Sequence, residues 1–86
     1  MSSASNPPKI IMYTKRACPN CVSAKQLLKS KGLAFTEADV ESNAALLDDL
    51  PPGVRQMPQI FVNGVRIGGL AGLQAYLPDI LKGEVA

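Results

Sequence analysis

The sequence predicts an α/β domain in which a four-stranded mixed sheet carries three helices, in the order β-α-β-α-β-β-α. Three observations lead there. Short β-branched or aromatic runs alternate with stretches whose apolar residues recur at helical spacing, as successive crossovers require. Asn63-Gly64, set between Ile60-Phe61-Val62 and Val65-Arg66-Ile67, is the strongest two-residue hairpin signal in the chain. The 7 Gly and 7 Pro punctuate these segments without forming low-complexity tracts, and no repeat period appears.

Residues 1–8 are rich in Ser and Pro and carry no apolar run. They read as a flexible lead, not a signal peptide, which leaves residues 9–86 as one domain. Residues 9–14 form a non-alternating apolar run that suits a strand covered on both faces. A polar loop follows to Cys18, and Pro19 sits where a helix's first turn tolerates a missing N–H. Cys21, Ala24, Leu27 and Leu28 then share one helical face, and Gly32 supplies the stop. Residues 33–40 are a second strand, closing a β-α-β crossover. Ser42 is placed to cap a short helix running to about Leu50, which Pro51-Pro52-Gly53 must end. Residues 58–62 and 65–67 are the hairpin strands. Leu70, Leu73 and Leu77 mark a last helix, which Pro78 should kink or restart around Ile80 and Leu81.

Composition narrows the function. The 9 Lys and Arg against 7 Asp and Glu give a net charge of +2, far from the basic stripe of a nucleic-acid binder, and 2 Tyr, 2 Phe and 0 Trp supply little base stacking. No apolar run approaches the roughly 20 residues needed to cross a bilayer. A cytoplasmic, reducing location follows as the expectation. In such a compartment two cysteines three apart point to catalysis, since thiol buffers keep ordinary pairs reduced. With 0 His and 2 Cys, a closed zinc site would need carboxylates or a second chain, so no metal is expected. A structural disulfide between Cys18 and Cys21 would close too small a loop to constrain the unfolded chain.

Disulfide exchange needs a thiolate, and a free thiol with a pKa of about 8.5 is mostly protonated at neutral pH. Two influences favour the anion at Cys18: the helix N-terminus that begins there, and the adjacent Lys15 and Arg16. Cys18 is therefore the expected nucleophile. Cys21, almost one turn into the helix and more covered, is the expected resolving thiol.

Tyr13-Thr14-Lys15-x-x-Cys18-Pro19-x-Cys21, then Met57-Pro58-Gln59-Ile60-Phe61-Val62-Asn63-Gly64, then Ile67-Gly68-Gly69 resemble the three signature segments of glutaredoxins, in order and at similar spacing. The likeness spans about residues 9 to 82. It implies a thioredoxin-like fold, a cis-proline at Pro58 facing the cysteines, and a groove for glutathione. By this resemblance Lys15 meets a glutathione carboxylate with Gln56 or Arg55 assisting, and the Met57 backbone beside Pro58 pairs with the incoming cysteine. Gly69, Leu70 and Ala71 are further implied glutathione-binding positions, with Gly68 and Gly69 letting the backbone come close to the ligand.

The implied activity is that of a monomeric dithiol enzyme, with glutathione as reductant and disulfide-containing or glutathionylated proteins as substrates. Alternatives are a redoxin that donates electrons to ribonucleotide reductase and is recharged by a thioredoxin reductase, and a carrier in which two copies and two glutathiones bridge a [2Fe-2S] cluster. Pro19 counts against the carrier, since cluster-binding relatives more often have Gly or Ser there. The chain departs from the family pattern at Asn20, where Tyr or Phe is common. It also has Leu70-Ala71-Gly72 where many members place an acidic residue, and a short 43–57 segment with an unusual Pro51-Pro52-Gly53 turn.

Overall fold

A computed structural model describes residues 8–82. The lead expected over residues 1–8 lies, apart from Pro8, outside the described residues. The elements are β1 (Ile10–Thr14), α1 (Pro19–Ser30), β2 (Thr36–Asp39), a 3-10 helix (Ala44–Asp49), β3 (Gln59–Val62), β4 (Val65–Gly68) and α2 (Leu70–Lys82). The sheet order is β2-β1-β3-β4. β1 runs parallel to β2 and antiparallel to β3, and β3 pairs antiparallel with β4. This is the expected mixed sheet with three helices, the middle one wound as 3-10.

The central strand β1 explains the layering. Its alternate residues Ile10 and Met12 join Ile60 and Val62 of β3, Ala24 and Leu28 of α1, and Leu73, Leu77 and Ile80 of α2 in one buried cluster. Tyr13, with Ile11 and Phe61 beside it, faces the other way, towards Val40, Leu50, Met57 and both cysteines. A strand covered on both faces reads as a continuous apolar run, which is what residues 9–14 show. Burying a side chain such as Leu28 or Ile60 stabilises the fold by about 1.5–3 kcal/mol. The second face is closed by the 3-10 helix, tied to β1 where the Tyr13 hydroxyl donates to Asp49 Oδ2 at 2.8 Å. Burial and that anionic partner raise the Tyr13 pKa above its ordinary value.

The hairpin forms as expected. Asn63 and Gly64 both take positive φ, 51° and 84°, as a type I′ turn demands. An irregularity between Ile60 and Phe61 sets Gly68 opposite Ile60 and Arg66 opposite Phe61, so that Ile67 is bulged out of the ladder.

Three local expectations are corrected. Ser42 does not cap the short helix: its hydroxyl donates to Asp39 Oδ2 at 3.0 Å, and Asn43 occupies the cap position with no side-chain cap bond. The second strand is shorter than residues 33–40 because Leu33 and Phe35 are drawn onto the helical face of the core. Pro78 does not restart the helix: it lies inside one that runs without interruption from Leu70 to Lys82. Leu77 and Ile80, buried on either side of it, hold both turns against the sheet while the proline ring faces solvent.

Candidate active site

The site grows out of the β1–α1 connection. Thr14 ends the strand buried, Lys15 to Ala17 form an exposed loop with Ala17 at φ 54°, and Cys18 takes the N-cap of α1 in an extended conformation. Pro19 fills the first helical position at no hydrogen-bond cost. Cys18 Sγ accepts from the Cys21 backbone N–H at 3.2 Å, so the sulfur sits at the positive end of the helix, where an anion is stabilised. Cys18 and Cys21 are joined as a disulfide with their Cα atoms 5.2 Å apart. Cys21 is 2% exposed and Cys18 8%, which orders the pair by access to solvent.

Across from the cysteines lies the Met57–Pro58 peptide, which is cis. The Met57 carbonyl oxygen is 3.4 Å from Cys18 Sγ, within reach of a thiol donor once the pair is reduced. Beside it opens a groove of about 490 Å³ lined by Lys15, Gln56, Met57, Pro58, Gly69, Leu70 and Ala71, together with Asn20 and Gln59. Seven of the positions marked out by the resemblance thus meet in one groove, and Gly68 is not among its lining residues. Arg55 does not line it; its guanidinium turns to the carbonyl of Val54 at 3.4 Å. The groove is shaped by close backbone contact: a Cβ on Gly69 would stand 3.2 Å from the Pro58 carbonyl oxygen, and one on Gly72 would overlap the Ile67 carbonyl. Gly69 therefore brings the backbone close to Pro58, a contact within the protein itself.

A second cavity of about 300 Å³ flanks the cysteines on another side, lined by both sulfur-bearing residues and by Lys15, Arg16, Lys25, Glu37 and Asp39, among others. Apart from Lys15, its charged side chains are engaged. Glu37 Oε2 accepts from Lys25 Nζ at 3.0 Å and from Thr14 Oγ1 at 2.9 Å, which holds its carboxyl below the ordinary 4.5. Asp39 is likewise lowered, by the Glu41 backbone N–H and the Ser42 hydroxyl. Arg16 is engaged by Glu41, whose Oε1 accepts from its backbone N–H at 2.9 Å and its Nε at 3.3 Å. Lys15 borders both cavities, and Arg16 lines the second one beside Cys18 while paired with Glu41. No three His, Cys, Asp or Glu residues cluster to form a metal site among the described residues.

Gln59 is the groove residue that sequence reasoning missed. The available signal was a polar side chain between Pro58 and Ile60 in an otherwise apolar strand.

The glutaredoxin family model matches residues 10–67. Glutaredoxin 3 of Escherichia coli strain K12 is 42% identical over 66 residues, covering 74% of this chain and 80% of that protein. The crystal structure of glutaredoxin 1 from Francisella tularensis superposes with a TM-score of 0.75 at 30% identity, covering 87% of this chain and 98% of the other. A buckwheat glutaredoxin–glutathione complex shares the fold, with a TM-score of 0.71 at 22% identity over 88% of this chain and 76% of its own. Family match, sequence identity and a cysteine pair held at a helix N-terminus beside the cis Met57–Pro58 peptide agree, and the chain belongs to the glutaredoxin family as a dithiol disulfide oxidoreductase.

Proposed function

We propose that the protein reduces glutathione mixed disulfides and protein disulfides in the cytoplasm, with glutathione as its reductant. The observation that carries this reading is the groove beside Cys18, which gathers Lys15, Gln56 and the Met57 main chain against Gly69, Leu70 and Ala71. A lysine, a backbone edge and the first turn of α2 are groups suited to a short peptide with carboxylates at both ends. A buckwheat relative of the same fold has been solved with glutathione bound.

In the cycle, the Cys18 thiolate attacks one sulfur of the substrate disulfide, and the other sulfur leaves as a thiolate that takes up a proton. Cys21 then gives up its proton and attacks Cys18 Sγ, closing the Cys18–Cys21 bond and releasing the second substrate thiol. Two glutathiones reopen that bond and leave as glutathione disulfide, so two electrons enter for each disulfide reduced. The helix N-terminus stabilises the Cys18 anion in the attacking state and again as a leaving group.

One observation favours a second reading: none of the residues lining the groove is acidic. The ammonium of glutathione would be left to water, and a redoxin recharged by a thioredoxin reductase would need no such partner.

The test is turnover of a glutathionylated peptide and of an unmodified peptide disulfide, coupled to glutathione with its reductase or to thioredoxin reductase. Glutathione should support both. Cys18→Ser should fall to the uncatalysed background on both substrates, while Cys21→Ser should keep much of its activity on the glutathionylated one, because glutathione itself can release Cys18. An active Cys18→Ser variant would reverse the assignment of nucleophile, and turnover with thioredoxin reductase alone would establish the second reading.

A further inference from the structure

Gln59, the first residue of β3, is 5% exposed, and its amide is engaged at both ends. Its Nε2 donates to the Gln56 carbonyl at 2.9 Å, and its Oε1 accepts from Arg66 Nη1 at 2.9 Å. A guanidinium carries only donors, so Arg66 dictates which end of the amide faces it, and the NH2 group is left facing Gln56. The Gln56–Met57 peptide is trans and planar. Anchoring its carbonyl towards Gln59 therefore directs the Met57 N–H the opposite way.

We propose that Gln59, oriented by Arg66, is a positioning residue: it holds the Gln56–Met57 peptide so that the Met57 main chain can pair with the cysteine of an incoming thiol substrate. The role deepens the proposed function and rests on it. Met57 lines the groove, and a rotation of the Gln56–Met57 peptide turns the Met57 N–H away from the edge offered to the substrate, while the Met57 carbonyl, part of the following Met57–Pro58 peptide, stays 3.4 Å from Cys18 Sγ and the sulfur stays at its helix terminus. Substrate binding should suffer and the reactivity of Cys18 should not.

Three variants test this. Gln59→Glu keeps an acceptor for Arg66 but sets a carboxylate oxygen against the Gln56 carbonyl. Arg66→Glu, at an exposed position, offers an acceptor where the donor stood, so the Gln59 amide turns over and presents its oxygen to Gln56. Arg66→Lys retains a donor. KM and kcat should be measured for a glutathionylated peptide and for a peptide disulfide in about 0.5 M salt, which screens the change of surface charge. Gln59→Glu and Arg66→Glu should each raise KM about tenfold, the effect of one unsatisfied buried hydrogen-bonding group. Their kcat, and the pH dependence of Cys18 alkylation, should stay near those of the parent, and Arg66→Lys should restore KM.

An unchanged KM in Arg66→Glu, an equal loss in Arg66→Lys, or a fall in kcat at constant KM would each overturn the role. If burying a carboxylate prevents Gln59→Glu from folding, the two Arg66 variants decide alone. If the parent turns over the peptide disulfide but not the glutathionylated peptide, the glutathione reading fails, and the KM comparison on the peptide disulfide still judges Gln59.

Discussion

The two cavities flanking the cysteine pair are built from different materials. The groove is a backbone construction: the Met57–Pro58 segment, Gly69 packed on the Pro58 carbonyl, and Gly72 packed on the Ile67 carbonyl. The second cavity is a side-chain construction in which Lys25 pairs with Glu37 and Arg16 with Glu41. Backbone contacts have no rotamers to give way, whereas exposed ion pairs rearrange at little cost. The groove should thus be the sensitive side, able to hold one ligand shape, and the second cavity, away from the cysteines and Lys15, a tolerant surface whose charges are already engaged.

The largest expected effect lies at Gly72. A Cβ there overlaps the Ile67 carbonyl, and the obstacle is backbone at the end of β4. Gly72→Ala should force α2 away from the sheet and cost about 2–3 kcal/mol, as overpacking does. In a chain of this size that is a fall in Tm of about 10 °C or more. A variant that melts with the parent would show that α2 can slide freely, and the groove would lose its claim to rigidity.

Whatever depended on neighbours in sequence was legible in advance. Asn63-Gly64 fixes its own turn, and Cys18-Pro19-Asn20-Cys21 announces both a helix start and a reactive pair, because each signal lies within four residues. The apolar run of β1 carried the layering for the same reason. What could not be read depended on which groups the fold turns towards one another, whether near in the chain or far. Arg16 turns to a carboxylate 25 residues on, and the hydroxyl of Ser42 is claimed by Asp39 before it can cap. Gly72 looks like an ordinary helical glycine until Ile67 is folded over it. Gln59 drew no notice because the groups it binds, the Gln56 carbonyl and Arg66, come together only when the hairpin closes.

A smaller effect sharpens the groove side. Ala71 is exposed at the start of α2 and lines the groove, so unlike Gly72 it can take a longer side chain. Ala71→Asp would place a carboxylate near the helix N-terminus, where it is favourable, and within reach of a ligand ammonium. It should lower KM for the glutathionylated peptide by about threefold to fivefold, the value of one exposed ion pair. An unmodified peptide disulfide should show no gain. Equal improvement on both substrates would mean that the new charge acts by general attraction, not by meeting glutathione in the groove.

The smallest effect belongs to the second cavity. Glu37 titrates below its ordinary 4.5 because Lys25 and Thr14 both hydrogen-bond to the anion. A carboxyl whose folded pKa is depressed adds stability that is fully present above the unfolded value and disappears as pH falls through the folded one. Glu37→Gln should therefore lower stability slightly at neutral pH, by less than about 1 kcal/mol since both side chains are partly exposed. The gap between parent and variant should close on the acid side of 4.5, and high salt should narrow it at neutral pH. Asp39, also depressed, repels the Glu37 anion, so neutralising Glu37 also relieves Asp39 and makes the gap smaller. Catalysis gives the sharper reading. If the second cavity is only a satisfied surface, KM for both disulfide substrates stays within about twofold of the parent. A larger rise would place Glu37 in the substrate's path, and the division between a binding side and a tolerant side would have to be redrawn.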